Sequence, residues 1–359
     1  MSDASGVAPV YAGVADAGGV NIGRTSAIEI LARLKEVVDP ALRTAVDGLT
    51  DERMRLIAGY QLGWNDASGN PSDAGGKAIR PALAVLSAQA VTGGDPAPGI
   101  APAVAVELVH NFSLLHDDVM DRDVERRHRP TGWVVFGEGQ AILAGNAMLA
   151  RAVEVIMATD ACDRVLPALL DSTQALISGQ SRDLDLEGRK SVTLDEVLDM
   201  EGGKTAALLA CSSSIGALAA GAADHVAKAL WTFGYELGIA FQIVDDVLGV
   251  VGDPAKTGKS SSADVRAGKR SSVVVAALAS DTEAGSRLGE VLADGAPQEE
   301  SDVELATSLI VESGAIAWAN READARLAKA MGQFDGLGLA EPAASELVTV
   351  GAYIVTRDR

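Results

Sequence analysis

From residue 27 to 62 the apolar side chains Ile28, Ile30, Leu31, Leu34, Val37 and Val38 recur three and four apart, the spacing that gathers them on one helical face. Pro40 has no backbone N–H to continue the ladder, so this run is expected to split into two helices there. Longer segments at 104–121, 141–158, 165–180 and 227–249 each provide three or more helical turns. Stretches dense in Gly, Pro, Asp or Ser at 66–76, 92–102, 252–272 and 294–301 predict the loops between them. No segment alternates as a strand would, and no internal repeat is visible. Residues 1–25, rich in Gly, Ala and Val without either period, read as a loose or disordered lead-in to a domain spanning 26–359. The expected architecture is all-α: a single helical domain that holds its ligands between facing helices.

Composition sharpens this picture. Hydrophobic residues make up 48% of the 359 positions but aromatic ones only 4%, so Ala, Leu and Val fill the core and favour close helix packing. Fifty acidic against thirty basic side chains give a formal charge of -20, which disfavours nucleic acid or an anionic membrane as partner. A phosphate-bearing ligand must then be caught by local basic clusters or by metal ions. Cys162 and Cys211 are too few for a disulfide framework or a zinc site, and a reducing, cytoplasmic setting is expected. The N-terminus lacks a basic start followed by an apolar stretch, and no run reaches the ~18 uninterrupted apolar residues of a membrane span. The nearest, 208–223, is broken by three serines and stopped by Asp224, and reads as a buried helix.

Candidate chemistry begins where a very apolar segment ends in Asp117-Asp118-Val119-Met120-Asp121. Asp117 and Asp121 stand four apart on one helical face, where like charges repel by a few tenths of a kcal/mol. A hard divalent cation with oxygen ligands would relieve that repulsion. Taken alone, the pattern could equally be a solvated acidic helix end. Five residues on, the charge reverses in Arg126-Arg127-His128-Arg129, and guanidinium groups grip phosphate oxygens in pairs. Gly75-Gly76-Lys77-Ala78-Ile79-Arg80 brings two more cations to a helix start, without the spacing of a Walker A loop. Lys204-Thr205 adds one more cation on another helix. Phe241-Gln242-Ile243-Val244-Asp245-Asp246 then sets a second aspartate pair in an apolar helix, followed by a polar loop running through Gly258-Lys259 to Asp264 and Lys269.

In this order, from about Gly75 to Lys269, the segments resemble the trans-isoprenyl diphosphate synthases of the polyprenyl synthetase family. The resemblance implies an isoprenoid synthase fold of about ten or more helices around a deep central cavity, usually as a homodimer. The implied reaction condenses isopentenyl diphosphate with an allylic diphosphate, assisted by Mg2+, three ions per active site. Asp117, Asp121 and Asp245 would hold the metals, with Asp118 and Asp246 supporting them. Arg126, Lys204, Thr205, Gln242, Lys259 and Lys269 would contact the allylic diphosphate, and Lys77, Arg80, His110 and Arg127 would hold isopentenyl diphosphate. His110 otherwise reads as a core histidine, and His116, His128 and His225 gain no such support.

The chain departs from the family pattern in three places. Gly249 stands where the second motif ends in aspartate, Asn146 where Gly-Asp is usual, and Ser260–Ser262 where Pro-x-Gly follows the lysine. Activity is expected to survive the first change with weaker support for that metal, and the loop substitutions bear on closure more than on catalysis. Residues one turn before Asp117, bulky Phe112 and small Ser113, would form the floor under the growing chain. By resemblance this pairing implies a C20 product, geranylgeranyl diphosphate, with the C15 farnesyl and C25 geranylfarnesyl products as alternatives. A class I terpene cyclase has no use for a second diphosphate site, and a non-catalytic partner subunit would be expected to lose an acidic motif.

Overall fold

The computed structural model describes residues 24–187, 189, 191–252, 262–293 and 295–356. Helix α1 (Arg24–Asp47) runs straight through Pro40, and the break falls instead at residues 48–51, where the Asp51 carboxylate caps α2 (Glu52–Gln61). Pro40 costs one backbone hydrogen bond. Its ring faces solvent, while the buried stripe Leu31, Leu34, Val38, Leu42, Ala45 and Val46 continues past it and keeps the helix intact. Pro102 also lies inside a helix, α4 (Ala97–Met120), but is buried there, and α4 shortens the loop expected at 92–102 to the few residues after α3 (Ile79–Thr92).

The chain continues through a two-residue hairpin, β1 (Glu125–Arg126) and β2 (Arg129–Pro130), then α5 (Gly132–Phe136), α6 (Glu138–Met157) and α7 (Cys162–Glu187). Helix α8 (Leu194–Glu201) passes through one π-helical turn (Gly202–Ala206) into α9 (Ala207–Ala219), and α10 (Asp224–Val251) follows. Four helices complete the sequence beyond a short turn of helix, α11 (Ala263–Arg266), and α12 (Ser272–Leu278): α13 (Glu283–Val291), α14 (Glu300–Glu312), α15 (Ala315–Met331) and α16 (Ala343–Thr356). The architecture is the all-α one expected. The hairpin at 125–130 is the part that hydrophobic spacing did not foresee.

Helices α3, α4, α9 and α10 form the centre, with α6, α7 and α15 packed around them. Every side chain from Ala207 to Ala217 is buried, including three serines. Ser212 and Ser214 satisfy their hydroxyls by donating to the carbonyls of Leu208 and Ala210 one turn back, which lets polar residues enter an apolar layer. Small residues also let backbones meet. A Cβ at Gly216 would lie 2.7 Å from Ser87 Oγ and 2.8 Å from the Ala84 carbonyl carbon of α3, and one at Gly234 would lie 2.7 Å from Ala210 Cα.

Helices α4 and α6 are long and apolar enough, by length and composition, to cross a membrane. In α4 that stretch is two-thirds buried in the protein and the helix ends in the acidic motif, as suits a core helix. In α6 only 33% is buried, and Ile142 and Leu143 lie exposed.

Because α3 and α9 touch backbone to backbone, Gly216→Ala should destabilise the protein by about 1–3 kcal/mol through overpacking. Chemical denaturation would measure it, and a midpoint equal to wild type would show that the contact yields freely.

Candidate active site

The buried residues Val104, Val106, Leu108, Val109 and Leu115 fix α4 in the core, so its last turn delivers Asp117, Asp118 and Asp121 to a defined place. Burial pushes the Asp117 carboxyl up to about 6, against the pull of Lys204 and with Asp121 and Asp118 adding repulsion. Burial also raises Asp118, opposed by Arg126, and raises Asp121, opposed by Lys204. Asp118 is 1% exposed; its Oδ1 accepts from Arg126 Nε at 2.6 Å, and its Oδ2 has no hydrogen-bond partner among the described residues.

Arg126 reaches Asp118 from the hairpin, whose turn residues Arg127 and His128 both have positive φ, at 53° and 59°. Two-residue hairpins favour this mirror-image turn, normally with Asn or Gly in it. The strain is held in place by Arg129, which lies over the Tyr60 ring at 4.2 Å and donates to the Asn65 carbonyl at 3.0 Å. Tyr60 in turn donates to the Pro130 carbonyl at 2.6 Å.

A second carboxylate wall comes from α10 and the π-helical turn. Asp183, Lys204, Thr205, Gln242, Asp245, Asp246, Asp264 and Lys269 line one pocket with their neighbours. Gly179 on α7 and Gly203 on the π turn let the two backbones touch, since a Cβ at Gly179 would stand 2.7 Å from Lys204 Cα. One turn further along α7, Asp183 therefore pairs with the Lys204 ammonium. Burial disfavours the charged lysine, but Asp183, Asp117 and Asp121 outweigh it and hold its pKa above the ordinary value. Lys204 is thus felt by the carboxylates of α4 while lining the pocket of Asp245.

Behind Asp245 the carboxylate of Asp246 accepts from Gln242 Nε2 at 3.1 Å and from the Ser272 N–H and hydroxyl at 2.7 and 2.6 Å. Gln242 Oε1 accepts from Thr205 at 3.0 Å. Burial, with the neighbouring Asp246 adding to it, pushes the Glu201 carboxyl well above its usual value.

A separate basic cluster forms where α3 meets α4 and the hairpin. Arg80 Nη1 lies 3.4 Å from His110 Nε2, and burial, with Arg80, Arg127 and Arg126 adding to it, drives His110 well below its usual pKa and keeps it neutral. Gly76 has no side chain, so the Arg127 guanidinium can lie against the loop, 3.0 Å from where a Cβ would be. Lys77 Nζ sits 5.5 Å above the Tyr353 ring of α16. Burial raises the Glu107 carboxyl beside them, with Arg80 and Asn111 opposing. Of the residues singled out from sequence, Gly258, Lys259, Ser260 and Ser261 lie outside the described residues, as do residues 1–23 of the expected lead-in.

A polyprenyl synthetase family model matches residues 65–310. The chain belongs to the polyprenyl synthetase family. It is therefore a trans-prenyltransferase with the isoprenoid synthase fold. A (2E,6E)-farnesyl diphosphate synthase from Mycobacterium tuberculosis is 44% identical over 336 residues, covering 92% of this chain and 93% of the relative. A geranylgeranyl diphosphate synthase from the same organism is also 44% identical, over 306 residues, covering 84% and 87%. A polyprenyl synthetase structure from Streptomyces coelicolor superposes with a TM-score of 0.85 at 45% identity, covering 91% of this chain and 99% of that one.

For a prenyltransferase of this family the question is whether these carboxylates suit Mg2+. Among the described residues no three His, Cys, Asp or Glu side chains converge into a cage. Mg2+ ordinarily takes one or two protein carboxylates and completes its shell with waters and phosphate oxygens. Two open carboxylate walls, one with repelling aspartates and an unpartnered buried Oδ2, fit that habit.

Sequence reasoning missed Asp183, Glu201 and Gln180, whose Nε2 lies 3.5 Å from Asp121 Oδ1, and gave Asp264 no role beyond its loop. Their signal is contact between distant segments of the chain, which spacing along one helix does not carry. Phe112 is buried with its ring edge-on to His116, 5.2 Å between centroids, and the Ser113 hydroxyl turns back to the His110 carbonyl at 2.8 Å.

Folding raises the Asp117 carboxyl above its usual 3.8, so this group favours the folded state fully below that value and its contribution is lost as the pH rises through about 6. In chelator, the melting temperature of Asp117→Asn should therefore gain on wild type between about pH 4 and pH 7. A difference that stays flat across that window would contradict the assigned environment.

Proposed function

We propose that this prenyltransferase condenses isopentenyl diphosphate with allylic diphosphates to give the C20 product geranylgeranyl diphosphate. The observation that carries this reading is the pairing of two anion sites: a pocket with carboxylates and Lys204 and Lys269, and the nearby Arg80, His110 and Arg127 cluster. One diphosphate would need one such site; a condensation needs two.

Asp117, Asp121 and Asp245 would hold Mg2+, three ions per site by family resemblance. Bound there, Mg2+ supplies Lewis-acid stabilisation of the charge that develops on the departing diphosphate. Lys204 would exchange Asp183 for a phosphate oxygen, joined by Arg126, Thr205, Gln242, Lys259 and Lys269. Asp118 orients Arg126, and Asp246 orients Gln242. Lys77, Arg80 and Arg127 would hold isopentenyl diphosphate, and neutral His110 can take part without repelling its cationic neighbours. No side chain need serve as a dedicated base, because the released diphosphate can accept the final proton.

Phe112 and Ser113 favour C20, one bulky and one small residue under the first motif. The farnesyl synthase relative keeps C15 as the second reading, since it matches at the same identity as the geranylgeranyl one and over more of the chain. The active assembly is proposed as a cytoplasmic homodimer of the 26–359 domain. Exposed Ile142 and Leu143 on α6 and Leu170, Ile177 and Leu184 on α7 form apolar faces that a second copy would cover.

Incubation of purified protein with Mg2+, isopentenyl diphosphate and each allylic starter should give C20 as the main product. No elongated product from any starter would sink the reading. Asp245→Asn should lower kcat by about 10²–10³, as loss of one charge-stabilising group does. Phe112→Ala should lengthen the product by one or more isoprene units, each on the order of one helical turn, ~5.4 Å. A product length unchanged by that substitution would place the ruler elsewhere.

A further inference from the structure

One hairpin reaches both anion sites. Arg126 extends from it to Asp118 beside the carboxylates of α4, while Arg127, the next residue, lies against Gly76 in the basic cluster of Arg80 and His110. The turn that aims them apart is Arg127-His128, left-handed at φ 53° and 59°. A side chain with a Cβ resists that conformation, and neither residue is the glycine or asparagine that tolerates it. Released from its surroundings, such a turn would relax and carry both guanidinium groups with it.

The far side of the turn is fastened by Arg129. Its guanidinium lies 4.2 Å above the Tyr60 ring, while Nη2 donates to the Asn65 carbonyl at 3.0 Å and Nη1 to the Tyr60 carbonyl at 3.4 Å. These partners are all neutral, so the contact works by shape: a flat donor fork meets a ring face and two carbonyls. The receiving surface is built to match. Tyr60 is buried with its ring edge-on to Phe136, 5.3 Å between centroids, and its hydroxyl donates back to the Pro130 carbonyl at 2.6 Å. A Cβ at Gly59 would collide with the Asn65 amide, whose Nδ2 donates to the Leu56 carbonyl at 3.2 Å. At the base of the hairpin, Thr131 and Trp133 both donate to the Asp123 carbonyl, at 2.6 and 2.8 Å.

We infer that Arg129 and Tyr60 are positioning residues for both substrates, a clamp that holds the strained turn presenting Arg126 to the allylic diphosphate and Arg127 to isopentenyl diphosphate. This rests on the two-site condensation reading. Arg129 acts through Arg126 and Arg127 instead of touching either ligand, so its loss must reach both sites together.

Calorimetry separates the sites in two titrations: inorganic diphosphate in saturating Mg2+, then isopentenyl diphosphate added to protein already filled with Mg2+ and inorganic diphosphate. Ligand-free melts are the folding control. Arg126→Leu should weaken the first and Arg127→Leu the second, by about tenfold each, as loss of one hydrogen bond to a charged group does. Arg129→Leu should weaken both by about tenfold at temperatures far below its melting point, where a chain that is only destabilised would bind like wild type. His128→Gly, which removes strain from the turn without restoring a charge, should bring the Arg129→Leu variant back to within about threefold of wild type for both ligands. Unchanged affinities in Arg129→Leu, a loss at one site alone, or no recovery with His128→Gly would overturn the clamp. If Arg126→Leu and Arg127→Leu leave both titrations unchanged, the two-site reading itself fails and the clamp falls with it.

Discussion

Lys204 is felt by Asp117 and Asp121 at the end of α4 while it lines the pocket of Asp245 and pairs with Asp183, and the arrangement of the site depends on that position. Carboxylates gathered in a half-buried place repel one another, and each loses hydration that only a counter-charge can replace. In the protein without ligand, Lys204 and Arg126 supply that counter-charge. A metal-bound diphosphate would bring cations for the carboxylates and anions for the lysine and arginine at once. Both sets of internal pairs can then be exchanged together, so the site is held open by interactions that its ligand can replace.

The position of Lys204 follows from small residues, beside it and in the core. Gly179 and Gly203 let α7 touch the π-helical turn backbone to backbone, and Gly216 and Gly234 do the same for α3, α9 and α10. A core filled by Ala, Leu and Val with few aromatics has the thin side chains such approach requires. Composition, packing and site geometry are therefore one chain of cause. Closely spaced helices bring charged side chains from α4, α7 and the π turn within electrostatic reach of one another, beside the pocket of α10.

Much of this was legible along the chain because it is local. Three- and four-residue spacing marks the long helices, and Asp117 with Asp121 shares a face whatever the fold. The order of the acidic and basic segments identified the family, which then carried roles to residues such as His110 that spacing alone left as core. Pro40 misled because a proline is judged locally while the stripe from Leu31 to Val46 is held by its neighbours. The hairpin was hidden because its turn is Arg127-His128, a pair without the glycine or asparagine that normally announces positive φ. Asp183 and Glu201 were missed, and Asp264 was named without a role, because each meets a partner elsewhere in the chain. Gly249 looked like a loss in sequence, and in structure a Cβ there would meet the Asp264 carboxylate.

The central claim is that the two carboxylate walls act on one metal-bound diphosphate. Calorimetric titration of inorganic diphosphate in saturating Mg2+ tests it most directly, using Asp117→Asn, Asp245→Asn and the double variant. A shared ligand predicts that each single substitution weakens the same Mg2+-dependent binding event, and that the double variant weakens it further. If the two substitutions instead weakened different binding events, each leaving the other's intact, the walls would bind diphosphate independently and the account would be contradicted.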